Sequence, residues 1–316
     1  MPPTHRIAVI QWSIQDLAPA ENHTRACEFI RSAAAQGAEL AVLPEYHLTG
    51  WTPDSSLFAE LASPQTTTHY LSSYQSLATE LNICIVPGTI VEKHAKYATT
   101  QPETQPEKSN ENYQYLLYNT AYFISNTGKI LARYRKKNLW HPERAYLTSS
   151  SSSSSSSSEP HEVFDTPVGK VGMLICWDLA FPEAFRELIS RGAEIVIVPT
   201  FWGRNDASPV ARSYNKDCEA LFLESTLTAR CFENTCGIIF ANAAGKEESL
   251  GMSRVVLPIV GPVGKMGNEE GVLVVDMDME LVRIAEQNYK VREDIAREGW
   301  HYTYQHSNVP GDGRPK

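Results

Sequence analysis

The chain has 316 residues, of which 28 are lysine or arginine and 37 are aspartate or glutamate, so its formal net charge is −9. Its length suits one large α/β domain or two small ones. Its six cysteines are too few for a disulfide scaffold, and its acidic balance argues against nonspecific binding of nucleic acid. No apolar run approaches the roughly 18 residues of a membrane helix. Because the N-terminus lacks an apolar signal sequence, we expect a cytoplasmic protein with reduced thiols.

Apolar runs rich in valine and isoleucine recur along the chain and predict strands, several of them covered on both faces. The predicted strands are 7–12, 39–43, 83–91, 118–125, 130–135, 171–176, 194–198, 237–241, 254–257 and 272–276. Helical spacing of apolar residues predicts helices over 21–36, 181–191 and within 210–234. This alternation predicts a mixed sheet in a layered α/β domain.

Two stretches, 36–45 and 191–200, share one pattern: a helix end, a glycine cap, a buried strand and then a proline. Two ordinary helix–strand units with the same cap would produce this pattern. Two related halves whose strands end at a common site would produce it equally well, and the sequence leaves both explanations open.

Two polar segments interrupt the strand-rich sequence, near residues 93–114 and 149–160. The second contains ten consecutive serines, Ser149 to Ser158, which cannot form a packed core. Strand-like sequence resumes after each segment, so we interpret both as loop insertions in a single domain that spans residues 1–316. A mixture of charged and aromatic residues predicts a C-terminal tail from about residue 285.

Cys176 stands where a predicted strand gives way to a helix, a geometry that can expose a nucleophile and aim backbone N–H groups at an oxyanion. Taken alone, such a cysteine is more often simply buried. Glu45, at the exit of another strand, is either a solvated loop residue or the base that a thiol nucleophile needs. Histidines such as His47, His141 and His161 are alternative bases, but none has diagnostic spacing.

The segment 134–144 is basic and contains Lys136 and Lys137. It is either the surface end of a strand or a segment that turns one lysine inward. A buried ammonium beside a thiol would stabilise a thiolate and, later, a tetrahedral oxyanion.

Three separated motifs together resemble the nitrilase, or carbon–nitrogen hydrolase, superfamily, in the order that the family has them. They are Leu43-Pro44-Glu45 with Leu48-Thr49-Gly50, Tyr134-Arg135-Lys136 with Asn138-Leu139, and Cys176-Trp177-Asp178 with Phe181-Pro182-Glu183 and Arg186. The resemblance extends over about residues 6 to 290. It implies an α/β fold of four layers, an α-β-β-α sandwich.

The resemblance also implies roles for four residues. Cys176 matches the nucleophile, Glu45 the general base, and Lys136 rather than Lys137 the catalytic lysine. Glu143 matches a second glutamate that positions the substrate and the lysine. The resulting chemistry needs neither a metal nor an organic cofactor.

Two other features bear on cofactors and on the lysine. Cys231 and Cys236 lack a second pair that could complete a zinc site, and residues 261–264 form no phosphate loop and are interpreted as a turn. Most family members have histidine where Asn138 stands, and we expect this departure to affect packing beside the lysine.

The residues after the cysteine favour the amidase and carbamoyl-amide branches, because Asp178 stands where true nitrilases generally carry glutamate. We therefore predict hydrolysis of a small linear amide, a carboxamide or an N-carbamoyl amine, through a thioester on Cys176. A nitrilase and a non-catalytic binding protein of the same fold are the alternatives. The third alternative is a hydrolase with a Cys–His pair. In that case replacement of Glu45 by glutamine would leave the activity largely intact, whereas a nitrilase-like enzyme would lose it.

We expect four aromatic side chains to shape the substrate pocket: Tyr46, Trp140, Trp177 and Trp202. The expected partner is a small-molecule amide or nitrile, with no nucleic acid and no membrane. Because members of the family commonly form dimers, we expect a homodimer or a larger homo-oligomer.

Overall fold

The computed structural model describes residues 3–95, 115–150, 160–297 and 302. Its strands are β1 (Thr4–Gln11), β2 (Leu40–Val42), β3 (Cys84–Val86), β4 (Thr89–Ala95), β5 (Tyr115–Ile124), β6 (Ile130–Arg135), β7 (Val163–Thr166), β8 (Gly169–Met173), β9 (Ile195–Thr200), β10 (Gly237–Asn242), β11 (Arg254–Leu257), β12 (Gly261–Lys265) and β13 (Gly271–Asp278). Its helices are α1 (Pro19–Ala35), α2 (Ser56–Leu61), α3 (Pro64–Leu81), α4 (Pro182–Ser190), α5 (Pro209–Tyr214), α6 (Cys218–Glu233), α7 (Glu280–Tyr289) and α8 (Val291–Ala296). Two short 3-10 helices cover His141–Ala145 and Cys176–Ala180.

The strands form two mixed sheets of similar design. The first has the order β13-β1-β2-β3-β5-β4, with β6 also paired to β5, and the second has the order β12-β11-β10-β9-β8-β7. Each has three neighbouring parallel strands, β1-β2-β3 and β8-β9-β10, flanked by antiparallel ones. The strands of the shared sequence pattern, β2 and β9, are the middle strands of the two parallel sets.

The two sheets pack face to face and helices cover their outer faces, which makes four layers. Ile7, Val9 and Val42 on one face of the first sheet share a buried core with Val196 and Ile239 of the second. The opposite face of the first sheet packs against α1 and α3, and α4 and α6 cover the second sheet. The expected α-β-β-α sandwich is therefore confirmed.

The segments that follow the central strands of the two sheets, β2 and β9, lie close together. After β2, the backbone N–H of Glu45 donates to the carbonyl oxygen of Thr200, the last residue of β9, at 3.2 Å. The two stretches with the shared sequence pattern thus deliver their downstream residues to a common site, as expected for two halves of similar architecture.

Several predicted elements differ from the structure. The predicted strand 83–91 is two strands, because the chain turns at Gly88 with a left-handed φ of 61°. The long helix predicted within 210–234 is α6, but a short additional helix, α5, precedes it and is separated from it near Asn215. Residues 261–264, interpreted as a turn, belong to strand β12. Helices α2 and α3 were not among the predicted elements.

The predicted loops and tail overlap regular structure at their edges. The first loop was placed from residue 93, but strand β4 continues to Ala95, and 96–114 lie outside the described residues. Of the serine run, residues 151–158 also lie outside them. The tail expected from about residue 285 begins inside α7, and Arg292 in α8 donates to the carbonyl oxygen of Ala193 at 2.6 Å. Across the described ranges, no helix is both long and apolar enough to cross a membrane.

Candidate active site

Cys176 lies between strand β8 and helix α4, at the first residue of a 3-10 helix. Its φ is 45°, a left-handed conformation that is uncommon for a residue other than glycine and is found at functional turns. The side chain of Asp178 accepts a hydrogen bond from the backbone N–H of Ile175 at 2.9 Å, which closes the turn. The thiol is thereby directed to a cavity at the ends of the central strands.

Glu45 is almost completely buried, and each carboxylate oxygen has a fixed donor. Oε1 accepts hydrogen bonds from Lys136 Nζ at 2.8 Å and from Asn119 Nδ2 at 2.7 Å, while Oε2 accepts one from the backbone N–H of Phe201 at 3.0 Å. The Cys176 side chain lies close enough to interact with this carboxylate. Burial raises the pKa of Glu45 to about 7, although the Lys136 ammonium and the Cys176 side chain oppose the rise. Such a carboxylate can exchange protons near neutral pH.

Lys136 lies at the end of β6 and is 1% exposed. Its Nζ donates to Glu45 Oε1 at 2.8 Å and to Glu143 Oε1 at 2.7 Å. Burial alone would lower the pKa of Lys136, but the negative charges of Glu45 and Glu143 outweigh it, and the pKa lies well above its usual value. The ammonium has three protons, so the two bonds leave one for the neighbouring cavity.

Glu143 is held by the 3-10 helix that follows Lys136 in the chain. Its Oε2 accepts a hydrogen bond from the backbone N–H of Trp140 at 2.8 Å, and its Oε1 accepts one from the hydroxyl of Tyr46 as well as the lysine bond. Glu143 is therefore a second anionic partner of the lysine, besides Glu45.

Burial, followed by the negative charge of Glu45, raises the pKa of the Cys176 thiol well above its usual value, against the opposing effect of Lys136. The resting sulfur is consequently a protonated thiol. Its nucleophilic form requires a base in contact with it, and Glu45 is in that position.

Asp178 connects the cysteine turn to the lysine segment. Besides Ile175, its carboxylate accepts hydrogen bonds from the hydroxyl of Tyr134 at 2.8 Å and from the backbone and side-chain N–H groups of Asn138 at 2.9 and 2.8 Å. Asn138 thus binds the aspartate of the cysteine motif, which gives a structural basis for the departure noted in the sequence.

A cavity of about 140 Å³ is lined by all eight residues expected at the site. They are Glu45, Lys136, Glu143, Cys176, Tyr46, Trp140, Trp177 and Trp202. Its remaining lining residues, which sequence analysis missed, are Trp51, Phe201, Asp206 and Glu219. A cavity of this size admits a small molecule and not a folded protein.

The missed residues come from segments without a recognised motif. Phe201 directly follows strand β9. Because the predicted site lies where buried strands end, this position in the sequence could have identified Phe201 as a site residue. Asn119, which orients Glu45, is a buried amide in an otherwise apolar strand, and such a polar residue marks a position with a specific partner.

Aromatic rings form much of the wall. The ring centroids of Trp177 and Trp202 lie 5.5 Å apart, and Phe222 stacks on Trp202 at 5.4 Å. On the other side, Tyr46 contacts Trp51 at 5.0 Å. This wall excludes water and presents flat apolar faces to a ligand.

The competing residues lie elsewhere. Lys137 is half-buried and lines a separate surface cavity. His47 is buried, with Nε2 2.8 Å from the hydroxyl of Tyr74, and burial lowers its pKa to about 3, so it remains neutral. In the part of the chain that the structure describes, no histidine lines the cavity.

The described residues contain no group of three or more histidine, cysteine, aspartate or glutamate side chains suited to a metal ion. Cys231 and Cys236 are both buried near the end of α6, and the Cys231 sulfur lies 3.0 Å from the carbonyl oxygen of Cys236.

Comparison with known proteins gives a consistent set of similarities. A family model described as carbon-nitrogen hydrolase matches residues 6–287. A human protein named Omega-amidase NIT2 is 29% identical over 290 residues, which cover 89% of this chain and 92% of that protein. A protein named Nitrilase from Pyrococcus abyssi is 27% identical over 287 residues, which cover 88% and 91%.

A solved structure is similar across the same extent. It is a variant of the amidase from Nesterenkonia sp. AN1 whose active-site cysteine carries the acetamide moiety of fluoroacetamide. It is 26% identical, has a TM-score of 0.67, and the match covers 92% of this chain and 96% of that one.

Proposed function

The chain belongs to the carbon–nitrogen hydrolase family, and we propose that it hydrolyses a small linear amide, a carboxamide or an N-carbamoyl amine, through a thioester on Cys176. The observation that supports this most directly is that Glu45, Lys136 and Cys176 line one small cavity, with the Lys136 ammonium hydrogen-bonded to Glu45. The thiol, the base and the cation that acyl transfer requires are thereby within reach of one bound carbonyl group.

In the first half of the reaction, the Cys176 sulfur attacks the carbonyl carbon while Glu45 accepts the thiol proton. The new negative charge on oxygen is stabilised by the free proton of Lys136 and by the backbone N–H of Trp177. Within the described residues, this N–H has no hydrogen-bond acceptor, as is usual at the start of a helical turn. Glu45 then gives its proton to the leaving nitrogen, the C–N bond breaks, and ammonia departs from a thioester.

In the second half, a water molecule replaces the ammonia. Glu45, again a carboxylate, takes a proton from this water as it attacks the thioester carbonyl, and Lys136 stabilises the second oxyanion. The C–S bond breaks, the acid leaves, and the proton returns to the Cys176 sulfur. A pKa of about 7 suits Glu45 to serve as base, acid and base again in turn.

The proposal is tested by an ammonia-release screen over short carboxamides, N-carbamoyl amines and nitriles. We expect at least one carboxamide or N-carbamoyl amine to release ammonia, and Cys176→Ala to abolish the release. Cys218→Ala, a half-buried cysteine outside the cavity, is the matched control and should retain it. Ammonia release that survives Cys176→Ala, or its absence over the whole screen, would contradict the proposal.

A nitrilase is the second candidate, and the similarity to the Pyrococcus abyssi protein favours it. A nitrile would form a thioimidate on Cys176, which water converts through the same thioester to the acid. The screen separates the two, because a nitrilase would turn over nitriles faster than the matching carboxamides.

A further inference from the structure

Two carboxylates line the cavity and have no part in the proposed acyl transfer. Asp206 Oδ2 accepts a hydrogen bond from the backbone N–H of Gly203 at 2.8 Å, and Glu219 Oε2 accepts one from Trp202 Nε1 at 2.6 Å. Each carboxylate is therefore held by one oxygen. Among the described residues, neither forms a salt bridge with lysine, arginine or histidine.

The Asp206 carboxylate is affected by its neighbours. Burial raises the pKa of Asp206 to about 6 and the negative charge of Glu219 adds to the rise, while the Gly203 N–H and the Lys136 ammonium oppose it. This value lies below neutral pH, which favours the ionised form of Asp206. Among the described residues, no basic side chain forms a salt bridge with either carboxylate, and a positively charged ligand would supply such a partner.

The only basic side chain that lines the cavity, within the ranges described, is that of Lys136. Its ammonium is already bonded to Glu45 and Glu143. A substrate carboxylate would therefore find no free counter-charge on the lining of the cavity and would face Asp206 and Glu219 instead.

The aromatic wall favours the same kind of ligand. Trp177 and Trp202 line the same cavity as the two carboxylates, and Glu219 accepts a hydrogen bond from the indole of Trp202. Indole faces attract cations through their quadrupole, and this attraction increases in a partly desolvated site.

We propose that the substrate is an amide with a cationic far end, an ammonium group on a short aliphatic chain, which Asp206 and Glu219 bind while Cys176 attacks the carbonyl. This inference rests on the proposed amide hydrolysis and adds the substrate class. The chain length is set by the span of the cavity, so a series of ω-amino amides of increasing length identifies it.

The test compares three amides of similar shape: 5-aminopentanamide, hexanamide and the monoamide of glutarate. They present a positive, a neutral and a negative end, respectively. We expect kcat/KM to be at least about tenfold higher for 5-aminopentanamide, or for its best homologue, than for the neutral amide, and lowest for the negative one.

The variants Asp206→Asn and Glu219→Gln remove the charges and retain oxygen acceptors for Gly203 and Trp202. In the double variant, the ratio of kcat/KM for the positive over the neutral amide should fall at least about tenfold. Asp217→Asn is the matched control, because Asp217 is exposed and pairs with Arg204 outside the cavity; the ratio should not change. An unchanged ratio in the double variant would overturn the inference.

A binding measurement separates this inference from the proposed reaction. In Cys176→Ala, titration calorimetry should show 5-aminopentanamide or its best homologue binding at least about tenfold more tightly than the neutral amide, dependent on Asp206 and Glu219. Hydrolysis of amides without charge preference would leave the proposed function and overturn this inference. Charge-dependent binding without any hydrolysis would overturn the proposed function and leave this inference. The absence of both hydrolysis and charge-dependent binding would overturn the two together.

Discussion

Phe201 donates its backbone N–H to Oε2 of Glu45 at 3.0 Å, and this bond joins the residue that follows β9 in the second sheet to a residue three positions beyond the end of β2 in the first. The proposed base is thus held by the backbone of the opposite sheet. Because the cysteine turn follows β8, the neighbour of β9, the same sheet also places Cys176. The position of the base relative to the thiol therefore depends on how the two sheets pack.

The pH dependence of kcat/KM should report the ionisation of Glu45. Its pKa is raised to about 7, so the base is protonated and inactive below that pH, and kcat/KM should fall as pH decreases through about 7. Glu45→Gln should lower kcat about 10²- to 10⁴-fold, the usual contribution of general acid–base catalysis. Steady-state rates across pH measure both effects, and a Glu45→Gln variant with nearly full activity would instead indicate another base.

Lys136→Met should destabilise the protein by about 3–5 kcal/mol at pH 8, because it leaves the buried Glu45 carboxylate without its cation. The ammonium lowers the pKa of Glu45, so its removal moves that pKa further above 7. A raised carboxylate pKa costs stability above that pKa, and the cost decreases as the pH falls and the group is protonated. The loss should therefore be smaller at pH 5.5.

Lys137→Met is the control for that measurement, since Lys137 is half-buried and outside the cavity. Denaturant unfolding of the unsubstituted protein and of both variants at the two pH values gives the six free energies of unfolding that the comparison needs. Equal losses for the two variants, or a Lys136→Met loss that does not depend on pH, would contradict the account of the buried ion pairs.

Gly88→Ala should impair both stability and activity. The residue has a φ of 61°, and a Cβ atom there would lie 1.7 Å from the carbonyl oxygen of Pro44, next to Glu45. We expect about 1–2 kcal/mol of backbone strain and about 1–3 kcal/mol from the overlap, with a displaced Glu45 and a lower kcat. Gly192→Ala has similar strain, with φ of 94° but no atom within 4 Å, and should retain kcat. Equal effects of the two variants on kcat would contradict this.

Asp178 is a positioning residue for the lysine and the cysteine. Asp178→Asn presents an amide N–H to groups that are themselves donors, so Lys136 should move away from Glu45 and kcat should fall about 10- to 100-fold. Since Lys136 lowers the pKa of Glu45, the acidic limb of the pH profile should move upward. The control is Tyr134→Phe, which removes one of the four hydrogen bonds to the Asp178 carboxylate and should leave the acidic limb of the pH profile near pH 7. If the acidic limb of Asp178→Asn also stays near pH 7, the role of Asp178 is merely structural.

The sequence predicts the layered fold because buried parallel strands leave continuous apolar runs, such as those now seen in β2 and β9. The break at Gly88 is marked by the Pro87-Gly88 dipeptide, which is typical of turns, but the apolar residues on either side favoured one continuous strand. The break between α5 and α6 had a local signal. The Asn215 side chain accepts the N–H of Asp217 at 3.0 Å, a turn that asparagine favours, but the apolar spacing on either side concealed it.

The candidate site was predicted where residues belong to recognisable motifs. Glu45, Lys136 and Cys176 each follow a strand, and the strand ends meet in the structure. Asp206 and Glu219 could not be assigned in this way, because one lies in an irregular loop and the other in the first turn of α6. Only the folded chain brings them to the cavity that contains Cys176.

The most direct test of the central claim is to mix the protein with a carboxamide that it hydrolyses, quench with acid within one turnover and measure the mass of the peptide that contains Cys176. The account predicts that this peptide gains the mass of the acyl group, and that the Cys176→Ala peptide does not. Turnover in which the acyl group is never found on Cys176, under quench conditions that preserve a thioester standard, would contradict it.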